Sequence, residues 1–148
     1  MKSKKKPARL AEMVKMTEVA KVAENFSLLN KTKGELPRLP FALIRDAVLG
    51  RDYDLSLVFI GDRESQKLNI KTRGMDYIPN VLSFELDENA GEIFINPFEA
   101  KRQAGDFDRT FSKFVGYLYI HGLVHLKGMR HGSTMERTEA KFRKQFGV

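Results

Sequence analysis

Three histidines are the residues of this 148-residue chain best suited to chemistry, and all lie between His121 and His131. His121 and His125 are four positions apart, so on a helix their rings project from one face and can share a cation. A left-handed Gly128 would end that helix and bring His131 back towards the other two rings. Three neutral imidazoles around one point form a zinc site with a fourth position open to water. We therefore predict one zinc ion per chain.

Gly122 influences which reaction such a metal would support. Zinc peptidases with this ligand spacing carry a glutamate directly after the first histidine, where it accepts a proton from water. Because glycine occupies that position here, peptide hydrolysis by that route is disfavoured. Phosphodiesters become plausible substrates, since zinc lowers the pKa of water to about 7 and cationic side chains can stabilise phosphoryl oxygens.

Charge and composition narrow the class of partner. The chain has 26 Lys and Arg against 19 Asp and Glu, which gives a net charge of +7 and favours a polyanion such as nucleic acid. It contains no cysteine, so nitrogen or oxygen atoms must hold any metal. Residues 1–9 are predicted to be a disordered basic tail. We see neither a membrane-spanning run nor a signal segment, and expect a cytoplasmic protein with no membrane partner.

Hydrophobic patterning predicts the elements that must position the histidines. Short apolar runs between turn residues indicate strands at about 26–29, 55–60, 81–86 and 92–95. Helical spacing indicates helices at about 41–49, 98–103, 111–127 and 134–145, and a further helix-permissive stretch ends at Gly74. Residues 10–23 are compatible with a short helix or strand, and Gly74, Gly91 and Gly105 are interpreted as isolated turn residues. Alternating strands and helices predict one layered domain.

These motifs resemble those of the YbeY endoribonucleases, also called rRNA maturation factors. Residues 121–131 match the signature His-Gly-x-Leu-His-Leu-x-Gly-Tyr-Asp-His at its three histidines, at both glycines and at Leu126. Upstream segments match in order and spacing, so that the likeness covers about residues 37–148. Those segments are Leu68-Asn69, Thr72-Arg73-Gly74, residues 78–84 and Gly91-Glu92-Ile93.

The resemblance implies a fold and an activity. The fold is a single-domain zincin-like α+β structure over residues 1–148, with a small mixed sheet packed against helices. The activity is that of a metal-dependent hydrolase, a single-strand-specific endoribonuclease. It would act in rRNA maturation, notably at the small-subunit 3′ end, and in ribosome quality control. The implied partners are single-stranded RNA or rRNA and the ribosome or its proteins.

The resemblance also assigns residues to roles. His121, His125 and His131 would be the metal ligands, and Arg73 would be a catalytic arginine that faces the metal. A guanidinium suits this role because it is always charged and can bind a phosphate through two parallel hydrogen bonds. The alternative interpretation of Arg73 is an exposed arginine at a helix end.

The chain departs from the family signature beside the third histidine. Arg130 stands where the family has aspartate, and Met129 where it has tyrosine. If that aspartate orients a ligand or water, Glu136 or Glu139 could replace it; alternatively, Arg130 binds the phosphate of the substrate. Asn80 is a candidate substrate-binding residue, although asparagine also commonly forms turns.

Several interpretations stay open at this level. A group of aromatic residues could stack against bases, although aromatics on a helix beside a sheet more often belong to the core. They are Phe107, Phe111, Phe114, Tyr117 and Tyr119. The nucleophile is either water or a ribose 2′-hydroxyl. The chain could instead be a noncatalytic RNA-binding or ribosome-assembly factor whose metal stabilises the fold, or a metallopeptidase, against which Gly122 argues.

Overall fold

The computed structural model describes residues 19–23 and 25–148. Its centre is one mixed sheet of five strands. Its strands are β1 (Val19–Ala23), β2 (Phe26–Asn30), β3 (Asp54–Phe59), β4 (Val81–Asp87) and β5 (Ala90–Ile95). They lie in the order β1-β2-β3-β5-β4. The inner strands β2, β3 and β5 are parallel, and each outer strand pairs antiparallel with its neighbour. The predicted tail at residues 1–9 lies outside the described residues.

Helices cover both faces of this sheet. They are α1 (Phe41–Leu49), α2 (Asp62–Arg73), α3 (Pro97–Ala104), α4 (Phe111–Leu126) and α5 (Ser133–Phe146), with a short 3-10 turn at Gly105–Phe107. Residues from α1, α3, α4 and α5 share the main core with one face of the sheet. Leu68 of α2 packs on a smaller apolar cluster that includes Val58 and Phe94. The predicted α+β class with a small mixed sheet is confirmed.

The boundaries agree closely with the hydrophobic patterning. Each predicted strand and helix is present, with its ends displaced by no more than two residues. The helix-permissive stretch forms α2, which ends at a left-handed Gly74 with φ +69°. Of the ambiguous stretch at 10–23, residues 19–23 form β1 and the remainder lies outside the described residues. Periodicity succeeded here because each element buries one regular face of its own residues.

Two glycines allow α4 to approach β5 closely. A Cβ atom added to Gly122 of α4 would lie 3.1 Å from Cδ1 of Ile93 in β5. A Cβ atom added to Gly91 would lie 3.0 Å from Leu126 of α4 and 2.5 Å from the Tyr53 hydroxyl. The prediction that Gly91 is a turn residue is therefore wrong. It lies within β5, where the absence of a side chain makes room for the last residue of α4.

Candidate metal centre

The C-terminal part of α4 carries the first two histidines on one side of the helix. The ring centroids of His121 and His125 are 4.7 Å apart, as their four-residue spacing predicts. The opposite side of the helix is deeply buried, with Ile120, Leu123 and Val124 fully inaccessible to solvent. Packing on the sheet therefore fixes the direction in which the two imidazoles project.

The chain reversal after α4 brings in the third histidine. Gly128 has φ +100°, and its N–H donates to the His125 carbonyl at 2.9 Å. The Met129 N–H donates to the Val124 carbonyl at 3.4 Å, which completes the pattern of a Schellman turn. The His131 ring centroid consequently lies 5.3 Å from that of His121 and 4.7 Å from that of His125. The reversal predicted at Gly128 is confirmed.

The three imidazoles form a group that fits a divalent metal ion. One ring nitrogen from each lies within 4.8 Å of the others. Burial lowers the pKa of His125, and the charges of His121 and His131 lower it further, so that His125 is neutral at pH 7. A metal requires neutral imidazoles, and three nitrogen ligands leave room for a further ligand on zinc. The donor set therefore suits zinc or another metal of similar softness.

A glutamate on α5 orients the first histidine. The Glu139 carboxylate is only 5 % exposed, and its Oε2 lies 2.8 Å from Nδ1 of His121. Because a carboxylate accepts hydrogen bonds, Nδ1 carries the proton and donates it, which leaves Nε2 free for a metal. The other glutamate that the sequence offered, Glu136, is exposed and contacts none of the histidines in the described structure. Glu139 is thus the carboxylate beside the three histidines.

The histidines lie in a cleft of about 1270 Å³ that also contains Arg73 and Asn80. Arg73 is the last residue of α2, and its Nη1 donates to Oδ1 of Asn69 at 3.3 Å. Its guanidinium carbon lies 6.0 Å from the ring centroid of Tyr77. The side chain of Asn80 donates to Oε1 of Gln103 at 2.7 Å. The structure therefore brings two of the predicted site residues into the cleft with the histidines.

Arg130 has a different position from the other predicted site residues. Its side chain is exposed, does not line the cleft, and has no hydrogen bond or ion pair within residues 25–148. Met129, the second departure from the family signature, is half-buried and packs against the main core. The predicted contact of Arg130 with substrate stays a prediction.

Some aromatic side chains that the sequence pattern assigns mainly to the core line part of the cleft. Tyr119 and Phe114 are indeed buried, but Phe114 also lines the cleft together with Phe107 and Tyr117. Tyr117 lies four residues before His121, as His121 does before His125, so helical spacing alone places Tyr117 on the histidine side of α4. This spacing is the signal in the sequence that identifies Tyr117 as a cleft residue.

None of the described helices combines the length and the apolar character that crossing a bilayer requires.

The fold and the site together define a class of protein: an α+β structure in which one helix and the turn after it present three histidines able to hold a metal. Residues 30–146 match the family model described as Endoribonuclease YbeY, and the chain belongs to this family.

Relatives with the same description support this assignment. The chain is 36% identical over 97 residues to Endoribonuclease YbeY of Bdellovibrio bacteriovorus, and this alignment covers 64% of this chain and 62% of the relative. It is 31% identical over 115 residues to that of Pelotomaculum thermopropionicum, which covers 70% and 76%, respectively. For most of these relatives, including that of Bdellovibrio bacteriovorus, the alignment spans a little less than two thirds of the relative's own length.

A solved structure also resembles this fold. The solution structure of TM1509 from Thermotoga maritima aligns with a TM-score of 0.52 and 30% sequence identity. The alignment covers 68% of this chain and 71% of the other.

Proposed function

We propose that this chain is a zinc-dependent endoribonuclease that cleaves single-stranded RNA. The observation that carries the proposal is the convergence of His121, His125 and His131 in one cleft with Arg73, in a member of the YbeY family. A net charge of +7 favours a polyanionic substrate. The family further suggests a role in rRNA maturation at the small-subunit 3′ end and in ribosome quality control. Ribosomal partners and a cytoplasmic location belong to the same proposal.

The histidine group supplies the binding site for the metal. When bound, a zinc ion would act as a Lewis acid that lowers the pKa of water and stabilises charge on phosphoryl oxygens. The contribution of the protein is to keep the ligands neutral and correctly oriented. Burial does the first for His125, and the hydrogen bond to Glu139 does the second for His121.

Arg73 would act on the phosphate. As water or a ribose 2′-hydroxyl attacks phosphorus, negative charge builds on the nonbridging oxygens, and a guanidinium can donate two hydrogen bonds to them. Arg73 is exposed, forms no ion pair among the described residues, and borders the cleft, so its donors are available to a substrate. Asn80 and Arg130 are proposed to bind the substrate.

We further propose that residues 1–148 form a single hydrolase domain. The described helices pack on the two faces of one sheet, and the main apolar core draws residues from α1, α3, α4 and α5. A single cooperative unfolding transition of the full chain would support this assignment. Two separate transitions would contradict it.

The decisive test of the function is His125→Ala. The purified variant and the wild-type protein are incubated with labelled single-stranded RNA and added zinc, and the products are separated on a gel. We expect cleavage by the wild type and none by the variant. Leu43→Ala is the control, because Leu43 is 61% exposed and lies outside the cleft. Undiminished cleavage by His125→Ala would reject the metal mechanism.

A noncatalytic RNA-binding or assembly factor is the alternative, and one observation favours it. Arg130 replaces the aspartate of the family signature, so the chain lacks that carboxylate beside the third histidine. In this case the only role of the metal would be to stabilise the fold. Removing the metal would then lower the melting temperature, and the zinc-loaded protein would bind RNA without ever cleaving it.

A further inference from the structure

A cluster of three aromatic rings lies at the edge of the metal cleft. Phe107 and Phe114 are stacked, with ring centroids 4.9 Å apart and planes 29° apart. Tyr117 is stacked on Phe114 at 5.6 Å and tilted against Phe107 at 6.1 Å, so the three centroids form a triangle. Phe114 is fully buried, whereas Phe107 is 45% exposed. The cluster therefore presents one accessible aromatic ring, Phe107, at the cleft that contains the histidines.

The surroundings of Phe107 restrict how it can move. It ends the short 3-10 turn after α3, and the buried ring of Phe114 supports one side of it. A flat ring held in this way loses little conformational freedom when a ligand stacks on it, so more of the stacking energy remains available for binding. Nucleobases are flat aromatic ligands of matching size.

Arg109 lies beside this aromatic cluster. The guanidinium carbon of Arg109 is 4.5 Å from the ring centroid of Tyr117, and its Nη1 donates to the Phe107 carbonyl at 3.4 Å. Within residues 25–148 it forms no ion pair, although Asp106 and Asp108 are exposed on the same turn. These carboxylates weaken the positive potential around the turn. An anion must therefore be bound here by direct contact with the guanidinium of Arg109.

We propose that Phe107 stacks against one base of the single-stranded RNA, and that Arg109 binds the phosphate next to that base. This inference rests on the proposed function, since it assumes that RNA enters the cleft. Every base has a π face, so the subsite accepts any sequence. Bases in a duplex are already paired and stacked on one another, so they cannot use it. The subsite consequently favours an unpaired strand at the edge of the cleft that contains the histidines.

The first experiment measures binding of a short, fluorescein-labelled single-stranded RNA by anisotropy in the cold, with intact RNA verified on a gel. Phe107→Ala is expected to weaken binding by about fivefold or more, which is the effect of losing one base–aromatic stack. Phe107→Leu keeps a bulky side chain on Phe114 but removes the π face, and should weaken binding similarly. Phe98→Ala is the matched control, because Phe98 is 39% exposed and lies outside the cleft.

The second experiment uses the absence of tryptophan from the chain. Phe107→Trp introduces a single tryptophan whose fluorescence should be quenched when a base stacks on it. RNA is expected to quench it, whereas an abasic oligonucleotide of equal length and charge is not. Phe98→Trp should respond to neither.

Arg109→Ala tests the phosphate contact separately. Loss of one contact with a single strand should reduce the slope of log affinity against log salt by about 0.7. Phe107→Ala should leave this slope unchanged, because stacking releases no counterions.

Wild-type affinity in both Phe107→Ala and Phe107→Leu, or an unquenched tryptophan at position 107, would overturn the subsite. If wild-type protein still cleaves RNA in that case, the proposed function stands and the subsite alone is rejected. If wild-type protein neither binds nor cleaves RNA, both proposals are rejected. Melting temperatures close to that of the wild type would show that the substitutions leave the fold intact, as the exposure of Phe107 leads us to expect.

Discussion

The cleft has two sides that differ in how firmly their functional groups are held. We call His121, His125, His131 and Glu139 the histidine side, and Arg73 with Asn69 and Tyr77 the arginine side. On the histidine side, a buried helix, a Schellman turn and a buried carboxylate determine where the rings lie. On the arginine side, an exposed side chain has one long hydrogen bond to Asn69 and a distant contact with Tyr77.

In the proposed function, this difference separates two tasks, which are holding a metal ion and binding the RNA phosphate. A metal site benefits from ligands that are already in place. The side chains then lose little conformational entropy when the ion binds, so the affinity is not reduced by this loss. A group that binds a flexible substrate can be ordered by the substrate itself, at the cost of side-chain entropy. Substitutions on the histidine side should therefore change metal affinity, and those on the arginine side should change turnover alone.

Apart from His125→Ala, which removes a proposed metal ligand, the largest effect is expected from Arg73→Ala. Removal of a donor to the charged phosphoryl oxygens should lower kcat for RNA cleavage by about a hundredfold, as for other groups that stabilise an oxyanion. Zinc affinity, measured by calorimetry, should not change. Arg73→Lys should recover part of the activity, since it keeps the charge but loses the planar pair of donors. Arg63→Ala, an exposed arginine on the same helix, is the control; a change in zinc affinity in Arg73→Ala would contradict the separation of tasks.

A smaller effect is expected from Glu139→Gln, and it concerns the affinity for the metal ion and not the turnover. The amide is a weaker acceptor for Nδ1–H of His121, and loss of such a partner reduces metal affinity about 10- to 100-fold. We expect a value near the lower end, because glutamine keeps the shape of the side chain. Glu136→Gln, on the exposed side of the same helix, should bind zinc as the wild type does. Equal zinc affinity in all three proteins would show that Glu139 does not orient the ligand.

Gly128→Ala tests how strongly the turn holds the third histidine. With φ +100°, an alanine at this position is strained, and we expect a loss of about 1–2 kcal/mol in the free energy of unfolding. Gly105→Ala provides the comparison, since its φ of −62° suits alanine and open space surrounds its Cβ position. That variant should be neutral or stabilised by up to about 1 kcal/mol in chemical denaturation. Equal stability of the two variants would be inconsistent with this account of the turn.

The smallest effect concerns Asp62, which begins the helix that carries Arg73. A hydrogen bond from Arg102 at 2.7 Å lowers the pKa of the Asp62 carboxyl below its ordinary value. A lowered folded-state pKa stabilises the protein above the unfolded-state pKa near 4, and this contribution disappears as the pH falls through the folded-state pKa. Because both side chains are largely exposed, Asp62→Asn should cost less than about 1 kcal/mol at pH 7.

Denaturation of Asp62→Asn and wild type across the acid range checks this prediction. The difference in stability should shrink as the pH falls below about 4, where the wild-type carboxyl becomes protonated. Zinc affinity should be unchanged, because Asp62 contacts no residue of the histidine side. A difference that grows in acid would have the wrong sign and would refute the assigned cause.

Patterning of the sequence predicted the secondary structure well and the contacts between elements poorly. Helix α1 was predicted at its observed bounds because Phe41, Ile44 and Val48 repeat at helical spacing and share a buried face. Gly91 was misassigned because its role depends on Leu126 and Tyr53, which approach it from other parts of the chain. The same applies to Phe107, whose support by Phe114 comes from the next helix.

The ligand types, their spacing and the reversal at Gly128 follow from the eleven residues 121–131 alone. Helical geometry and the conformational freedom of glycine act over one or two turns, so that such a segment contains all the information they need. The fold decided the rest: it selected Glu139 over Glu136, brought Arg73 from the end of α2 to the histidines, and left Phe107 exposed at the cleft. Each of these features depends on the packing of one element against another, and no local spacing in the sequence encodes that.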